Sequence, residues 1–433
     1  MKSTVTTTAV KTLNERIESL NRFDIIVIGG GASGIFSAVT AGRLGKKVAV
    51  IEKNRRIGRK LAITGKGRCN VTNDCNDVGE LMANIPVNPR FLYSAFSSCM
   101  PQDIIDFFEK DCGVALKTER GNRVFPVSDK AEDIVKALEK SANKAGVKIF
   151  LSKAVTELII DEQDGRKVCC GVRCGKEEFY AESVIVATGG MSYPLTGSTG
   201  DGYRFAKSAG HKVTELSPSL VPIVTEEKYC KDMMGLSLKN VTLSLFRDKK
   251  LVSKEMGEML FTHFGVSGPL VLSASSLIRE PEKHKYTMKI DLKPALTPEQ
   301  LDARLQRDFS ENINKDFINS LNKLLPSAMI PVVVKLSGIP QNLKVNQISK
   351  QQRLNLAELL KNFPLTVKEF RPIEEAIITS GGISVREIEP KTMKSKLVEG
   401  LYFAGEVIDV DAYTGGFNLQ IAFATGFTAG QNA

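Results

Sequence analysis

A short apolar run, Phe23-Asp24-Ile25-Ile26-Val27-Ile28, leads without a break into Gly29-Gly30-Gly31-Ala32-Ser33-Gly34. The run reads as a strand buried on both faces, the habit of parallel sheets. The six residues after it fit GxGxxG and open a helical stretch that reaches Arg43, with Gly45 placed to stop it. Residues 47–51 (KVAVI) form a second buried strand, ending at Glu52. Together these make one βαβ unit. Gly29 permits the tight turn, Gly31 lets backbone approach a diphosphate, and Gly34 lets helix and strand pack closely. The diphosphate then rests on the helix N-terminus at Ala32 and Ser33, where free N–H groups and the dipole favour an anion. Glu52, followed by Lys53, ends the second strand where a carboxylate accepts from both ribose hydroxyls. That carboxylate would repel a 2′-phosphate, which argues against NADP in this position.

FAD and NAD share this fingerprint, and later segments separate them. Residues 183–187 (SVIVA) form another buried strand that runs into Thr188-Gly189-Gly190. Residues 400–406 (GLYFAGE) supply a late strand ending in Gly405-Glu406. Gly415-Gly416 precede a final helix, from Asn418 to about Gln431, that carries Leu419 and Gln420 in its first turn. A helix N-terminus aimed at a flavin edge stabilises negative charge on the reduced ring. A nicotinamide dehydrogenase has no use for this second closure, so the pattern predicts FAD. The fold class read from it is α/β, a Rossmann-type FAD-binding domain interrupted by an insert.

Composition changes inside the interruption. Residues 211–292 read as strands with hairpin signals, such as the turn at Arg247–Lys250, and suggest a small β-barrel or sandwich. Residues 297–361 read as helical. Thr297-Pro298-Glu299-Gln300 combines an N-cap, a first-turn proline and a capping-box glutamine, and Leu301, Leu305 and Phe309 then share one face. The expected boundaries are an N-terminal arm over 1–22, the first part of the FAD domain over 23–193, barrel over 194–294, a helical subdomain over 295–361, barrel again over 362–380, and the second part of the FAD domain over 381–433.

The chain has no eighteen-residue apolar run, which excludes a membrane-spanning helix as its organising element. Residues 1–22 are polar and lack the apolar core of a signal peptide, and a cytoplasmic location is expected. Eight cysteines without a CxxC pair, and three histidines, predict neither a metal site nor a disulfide framework. Net charge is +10, spread among acidic residues rather than gathered in a block.

Four segments, residues 24–34 (DIIVIGGGASG), 58–73 (GRKLAITGKGRCNVTN), 187–203 (ATGGMSYPLTGSTGDGY) and 391–426, with 261–269 (FTHFGVSGP) as a fifth, resemble the BaiN-like flavoproteins, FAD/NAD(P)-dependent oxidoreductases. The resemblance runs from about residue 23 to the C-terminus. Thr64 stands where the family usually has Ser, and keeps the hydroxyl. The resemblance implies an insert made of a β-barrel with a small helical subdomain. It also implies cofactor contacts from Thr64, Cys69 and Val155. In the 58–73 loop, Gly65 and Gly67 let the chain lie against a flat ring system. Arg59, Lys60, Arg68 and Asn70 supply polar groups for phosphate or flavin carbonyls. His263, Tyr193 and Asp409 are the expected proton donors, His263 first because imidazole titrates near neutrality.

The family resemblance implies reduction of activated C=C bonds, 3-oxo bile-acid or steroid-like enones above all, with NADH or NADPH as electron donor. No second GxGxxG is present, so a nicotinamide would dock at the flavin face. The alternative is an aminoacetone-type amine oxidase that returns electrons to O₂. An RNA-binding flavoprotein is a third reading, disfavoured by the lack of an RNA-binding motif. The partner expected is therefore a small molecule, with no nucleic acid and no membrane. A dithiol reading of Cys69 and Cys75 is weakened by their C-x5-C spacing, one residue off the usual redox loop.

Overall fold

The computed structural model describes residues 21–433, and most of the expected N-terminal arm lies outside the described residues. The described chain divides into two compact units. One takes the residues up to Ser217 together with Ile377–Ala433, and the other takes Pro218–Ala376. The first unit thus runs beyond 193, through the helix Asp201–Ala209, before the insert begins.

In the first unit the strand Arg22–Ile28 lies between the parallel strands Val48–Ile51 and Glu177–Val186. Val48–Ile51 pairs in turn with Lys148–Phe150, again in parallel. The late strand Leu401–Phe403 pairs in parallel with residues 184–186, so a segment distant in sequence completes the Rossmann sheet. An antiparallel pair, Glu157–Gln163 and Arg166–Cys174, extends the sheet from the early half of Glu177–Val186. The apolar runs are buried because strands with parallel neighbours and covered faces have no solvent side: Ile25 to Ile28 and Val48 to Ile51 are all buried. The strands Lys148–Phe150 and Glu157–Gln163 are separated, since residues 151–156 leave the sheet and run beside Glu52.

The helix Ala32–Arg43 covers one face and packs against the C-terminal helix Phe417–Asn432. Two glycines make that contact possible. A Cβ at Gly426 or Gly430 would fall well inside 3.0 Å of the backbone at Ser33 or Ser37. The two helices meet backbone to backbone, which fixes the late segment against the glycine-rich turn. Residues 101–111 form an α-helix over Pro101–Asp106 and a π-turn over Phe107–Asp111.

The second unit has its own core and a closed six-stranded barrel. Ser237–Arg247 and Lys250–Phe261 form the expected hairpin. Its two-residue turn, Asp248-Lys249, has φ of +48° and +72°, the mirror-image turn that matches strand twist. A short helix, Pro269–Ser275, interrupts the region expected to be all strand. The helical part begins as predicted. Thr297 accepts from the Gln300 amide at 3.2 Å, and the Gln300 side chain accepts from the Thr297 amide at 2.9 Å. Leu301 and Leu305 are buried, each stabilising the fold by about 1.5–3 kcal/mol. In the later helix Lys350–Lys361, Leu356 and Leu360 are buried while Leu354 is exposed.

Candidate functional site

The site is built where the strands of the first unit end. Gly29 has φ +105°, and a Cβ there would stand 2.5 Å from the Ala187 carbonyl oxygen. Gly34 is equally closed, against the Gly29 carbonyl. Gly31 is different. It has φ −82°, and nothing lies within 4 Å of where its Cβ would be. Gly29 and Gly34 are required by the protein's own packing, whereas Gly31 faces open space at a helix N-terminus with no side-chain cap. That combination is a cradle for an anion, with Ala32 and Ser33 in the first turn.

Glu52, only 8% exposed, fixes the turn from the other side. Its Oε2 accepts from the Gly30 amide at 2.7 Å, and its Oε1 accepts from the backbone and side-chain nitrogens of Asn54 at 2.7 and 2.6 Å. The Lys153 amide donates to the Glu52 carbonyl, which brings buried Val155 to the same strand end. Lys53 pairs with Asp201 at 2.6 Å, tying this corner to the segment after Thr188-Gly189.

The second junction gathers residues far apart in sequence. Gly405 has φ +77°, and a Cβ there would strike the Ser33 side chain, so the GLYFAGE turn is seated on the dinucleotide helix. Its amide donates to Thr425 Oγ1 at 2.9 Å. Glu406 then forms an ion pair with Lys60 at 2.6 Å and accepts from the Thr379 amide at 2.9 Å. Ser192 Oγ lies 2.6 Å from Lys60 Nζ and 3.2 Å from Glu406 Oε1. Nothing in the sequence singles out Ser192 or Thr379. Ser192 lies in the ATGGMSYP segment, but its role depends on partners 132 and 214 positions away.

The loop after Lys60 is left-handed at Gly65, Lys66, Gly67 and Cys69, with φ between +55° and +82°. Gly67, like Gly31, faces open space. Thr64 turns its hydroxyl to the Leu61 carbonyl at 2.7 Å and its carbonyl to the Cys69 amide at 3.0 Å. Asn70 Oδ1 and Thr188 Oγ1 are buried without a hydrogen-bond partner. Such groups cost about 1–3 kcal/mol each unless something bonds them. Two open glycine positions and two orphaned polar atoms fit FAD as the group that completes the site.

Other expected contacts serve the protein itself. Arg68 is turned to Glu119 and Asp129, both at 2.5 Å, with its guanidinium 4.2 Å above the Phe125 ring. Arg68 holds the Glu119 carboxyl below the usual carboxylate range, and Lys117 together with Arg68 does the same to Asp129. The Arg68 donors are thereby committed elsewhere than to a phosphate. Arg59 donates to Asn54 Oδ1 at 2.6 Å. Gln420 is fully buried, accepting from Thr72 Oγ1 and donating to the Cys99 carbonyl. Asn418 locks the Ala412-Tyr413 loop, and Leu419 packs half-buried on the core. These side chains position the helix start, where Gly416 lies so close to Thr72 that no Cβ fits.

Tyr193 follows Ser192 and has φ +52°, and Asp409 is half-buried three residues after Glu406. His263 belongs to the second unit, where its ring lies edge-on to Phe264 at 5.0 Å. Cys69 and Cys75 are free thiols. Burial pushes the Cys69 thiol up to about 12, and burial raises Cys75 as well. Dithiol chemistry needs an accessible thiolate, and this loop disfavours one.

Among the described residues there is no cluster of metal-ligating side chains, and no helix is long and apolar enough to cross a membrane. The chain matches the family described as HI0933-like protein Rossmann domain over residues 23–432. It is 30% identical over 420 residues to the 3-dehydro-bile acid delta(4,6)-reductase of Clostridium scindens, covering 96% of this chain and 99% of that protein. It is 32% identical over 404 residues to the ribosomal RNA dihydrouridine synthase of Haemophilus influenzae, covering 93% and 96%. The 3-ketosteroid delta1-dehydrogenase of Sterolibacterium denitrificans shares its fold, with a TM-score of 0.53 at 14% identity over 95% of this chain and 99% of that one. The chain therefore belongs to the HI0933-like Rossmann-domain family, a family of FAD-dependent oxidoreductases.

Proposed function

We propose that the protein reduces carbon–carbon double bonds conjugated to a carbonyl, with bound FAD as the hydride carrier and NADH or NADPH as the electron source. The observation that carries this is the shared chemistry of two near-full-length relatives. A 3-dehydro-bile acid delta(4,6)-reductase and a dihydrouridine synthase both saturate a C=C bond in conjugation with C=O. When bound, FAD would supply hydride chemistry for the carbon β to the carbonyl, with a proton needed at the α carbon.

The chain's own residues divide the remaining work. The cradle at Gly31 and the carboxylate of Glu52 hold the adenosine diphosphate half. Thr188 and Asn70 lend their unpartnered oxygens to hydroxyl or N–H donors of the cofactor. Lys60 is held by Glu406 and Ser192, which orient its ammonium at the junction of three segments. The uncapped start of the helix Phe417–Asn432 presents backbone N–H groups that favour negative charge. Tyr193, Asp409 and His263 are the proposed proton donors.

Two substrate classes follow. The first is a steroid-like enone, as in the bile-acid relative. The second is a uracil ring within RNA, favoured by the dihydrouridine synthase relative at 32% identity and by the net charge of +10. RNA thus joins the proposed partners, where the sequence alone led to no nucleic acid. The test is anaerobic mixing of the purified yellow protein with NADH and NADPH, followed by a 3-oxo-Δ4 steroid or a uridine-containing RNA. Bleaching by a nicotinamide and recovery of colour with either acceptor supports the proposal. Bleaching by primary amines alone, with recovery only in O₂, would replace it with the amine oxidase reading.

A further inference from the structure

The segments 53–68 and 117–133 carry eleven Lys and Arg against four Asp and Glu. That is most of the chain's positive surplus, in 33 residues. The fold brings the two segments together. Arg68 stands over Phe125 at 4.2 Å, and Arg123 lies 5.8 Å from the same ring. A Cβ at Gly65, next to Lys66, would touch Phe125 at 3.3 Å. Arg56 reaches Glu132 at 3.3 Å.

The four carboxylates are already used. Glu119 and Asp129 serve Arg68 and Lys117, Glu132 serves Arg56, and Asp133 accepts from Ser128 Oγ at 2.6 Å. Lys53 and Lys60 are paired with Asp201 and Glu406. Arg59 donates to the Asn54 side chain, and Arg55, Lys66, Arg120, Arg123 and Lys130 are left, all exposed and none in an ion pair among the described residues. None of them is among the residues proposed to hold the cofactor. Next to Arg55, the Asn54 side-chain amide donates to the Thr196 carbonyl at 3.1 Å, which fixes the turn Pro194–Thr196. Leu195 on that turn is 87% exposed. Uncompensated cations beside a fixed, exposed apolar residue suit a chain of phosphates with unstacked bases better than a single small anion. Three of the five are arginines, whose planar fork matches phosphate oxygens.

We propose that this face is an RNA-docking surface, in which Arg55, Lys66, Arg120, Arg123 and Lys130 hold the backbone of a single-stranded segment and Leu195 meets a base. The proposal rests on the reductase reading with uracil as acceptor. It assigns to this face the task of holding the polymer while one base is reduced.

The test uses the FAD-loaded protein and fluorescein-labelled single-stranded RNA, with binding followed by anisotropy over a range of NaCl concentrations. One variant combines Arg55→Gln, Lys66→Gln, Arg123→Gln and Lys130→Gln. A control variant carries the same charge loss on exposed lysines of the second unit: Lys239→Gln, Lys250→Gln, Lys254→Gln and Lys285→Gln. The face variant is expected to bind RNA at least about tenfold more weakly at moderate salt. Its log affinity against log salt should flatten by up to about 0.7 per lost phosphate contact. The control should keep wild-type affinity, and both variants should keep FAD and its reduction by NAD(P)H. Unchanged affinity and slope in the face variant, an equal loss in the control, or no binding by the wild type each overturns the surface. None of those outcomes touches the reductase reading. That reading fails separately, when reduced wild-type protein regains colour with neither the steroid nor the RNA.

Discussion

Replacing Gly31 with valine separates what the glycines do for the protein from what they do for its cofactor. At Gly31 the backbone has φ −82° and ψ −170°, which any L-residue adopts. No atom lies within 4 Å of the added Cβ. The chain itself therefore tolerates the substitution, with a stability change within about 0.5 kcal/mol, as for surface sites without special contacts. The isopropyl group instead fills the space over the helix N-terminus that a diphosphate needs. Overpacking of that kind costs about 1–3 kcal/mol or more, so FAD affinity should fall by about fivefold at least and up to beyond a hundredfold. Gly34→Ala is the contrasting change. Its Cβ would lie well inside 3.0 Å of the Gly29 carbonyl, a backbone atom that no rotamer change relieves. It should lower the stability of the apoprotein as well as FAD binding. The assay pairs thermal unfolding of the apoproteins with titration by FAD, followed by the quenching of flavin fluorescence. Gly31→Val binding FAD like the wild type would refute the placement of the diphosphate. Gly31→Val apoprotein as unstable as Gly34→Ala would refute the division of roles.

Glu52→Ala should weaken FAD binding by about 1.5–3 kcal/mol, the scale for hydrogen bonds to a charged group. It should also lower apoprotein stability, since Glu52 holds Gly30 and Asn54, and calorimetry showing neither change would place the ribose elsewhere. Cys69 should resist iodoacetamide in the native protein at pH 8, because burial pushes its thiol up to about 12, and Cys75→Ser should keep near-normal turnover. Mass spectrometry showing rapid alkylation of Cys69, with loss of activity in both Cys69→Ser and Cys75→Ser, would restore the dithiol reading. Arg68→Gln should lower the melting temperature at pH 7, by an amount that shrinks as pH falls below the ordinary carboxylate range. Arg68 depresses the pKa of Glu119, and Lys117 with Arg68 depresses that of Asp129, so their stabilisation is present above the unfolded carboxylate range and lost as pH falls through the folded values. A loss that stays constant as pH falls would assign Arg68 a packing role over Phe125 instead.

Features that obey local rules are legible in the sequence alone. The glycine-rich turn, the strands on either side of it, the Thr297 capping box and the Asp248-Lys249 hairpin each follow from a few consecutive residues whose backbone preferences leave little choice. The order of GxGxxG, ATGG and GLYFAGE likewise marks a Rossmann domain that closes late in the chain. Tertiary structure decides the rest, because an ion or a hydrogen-bond donor takes the partner that topology delivers. Arg68 reads from sequence as a phosphate ligand, yet the sheet around Phe125 brings it two carboxylates first. Lys60 meets Glu406 across 346 positions, and Ser192 joins them only because the loop after Gly190 folds back on the same corner. Gly31 and Gly34 look alike in the motif. Only the packed backbone shows that Gly34 is closed by the protein itself, while Gly31 is left open for something the chain does not supply.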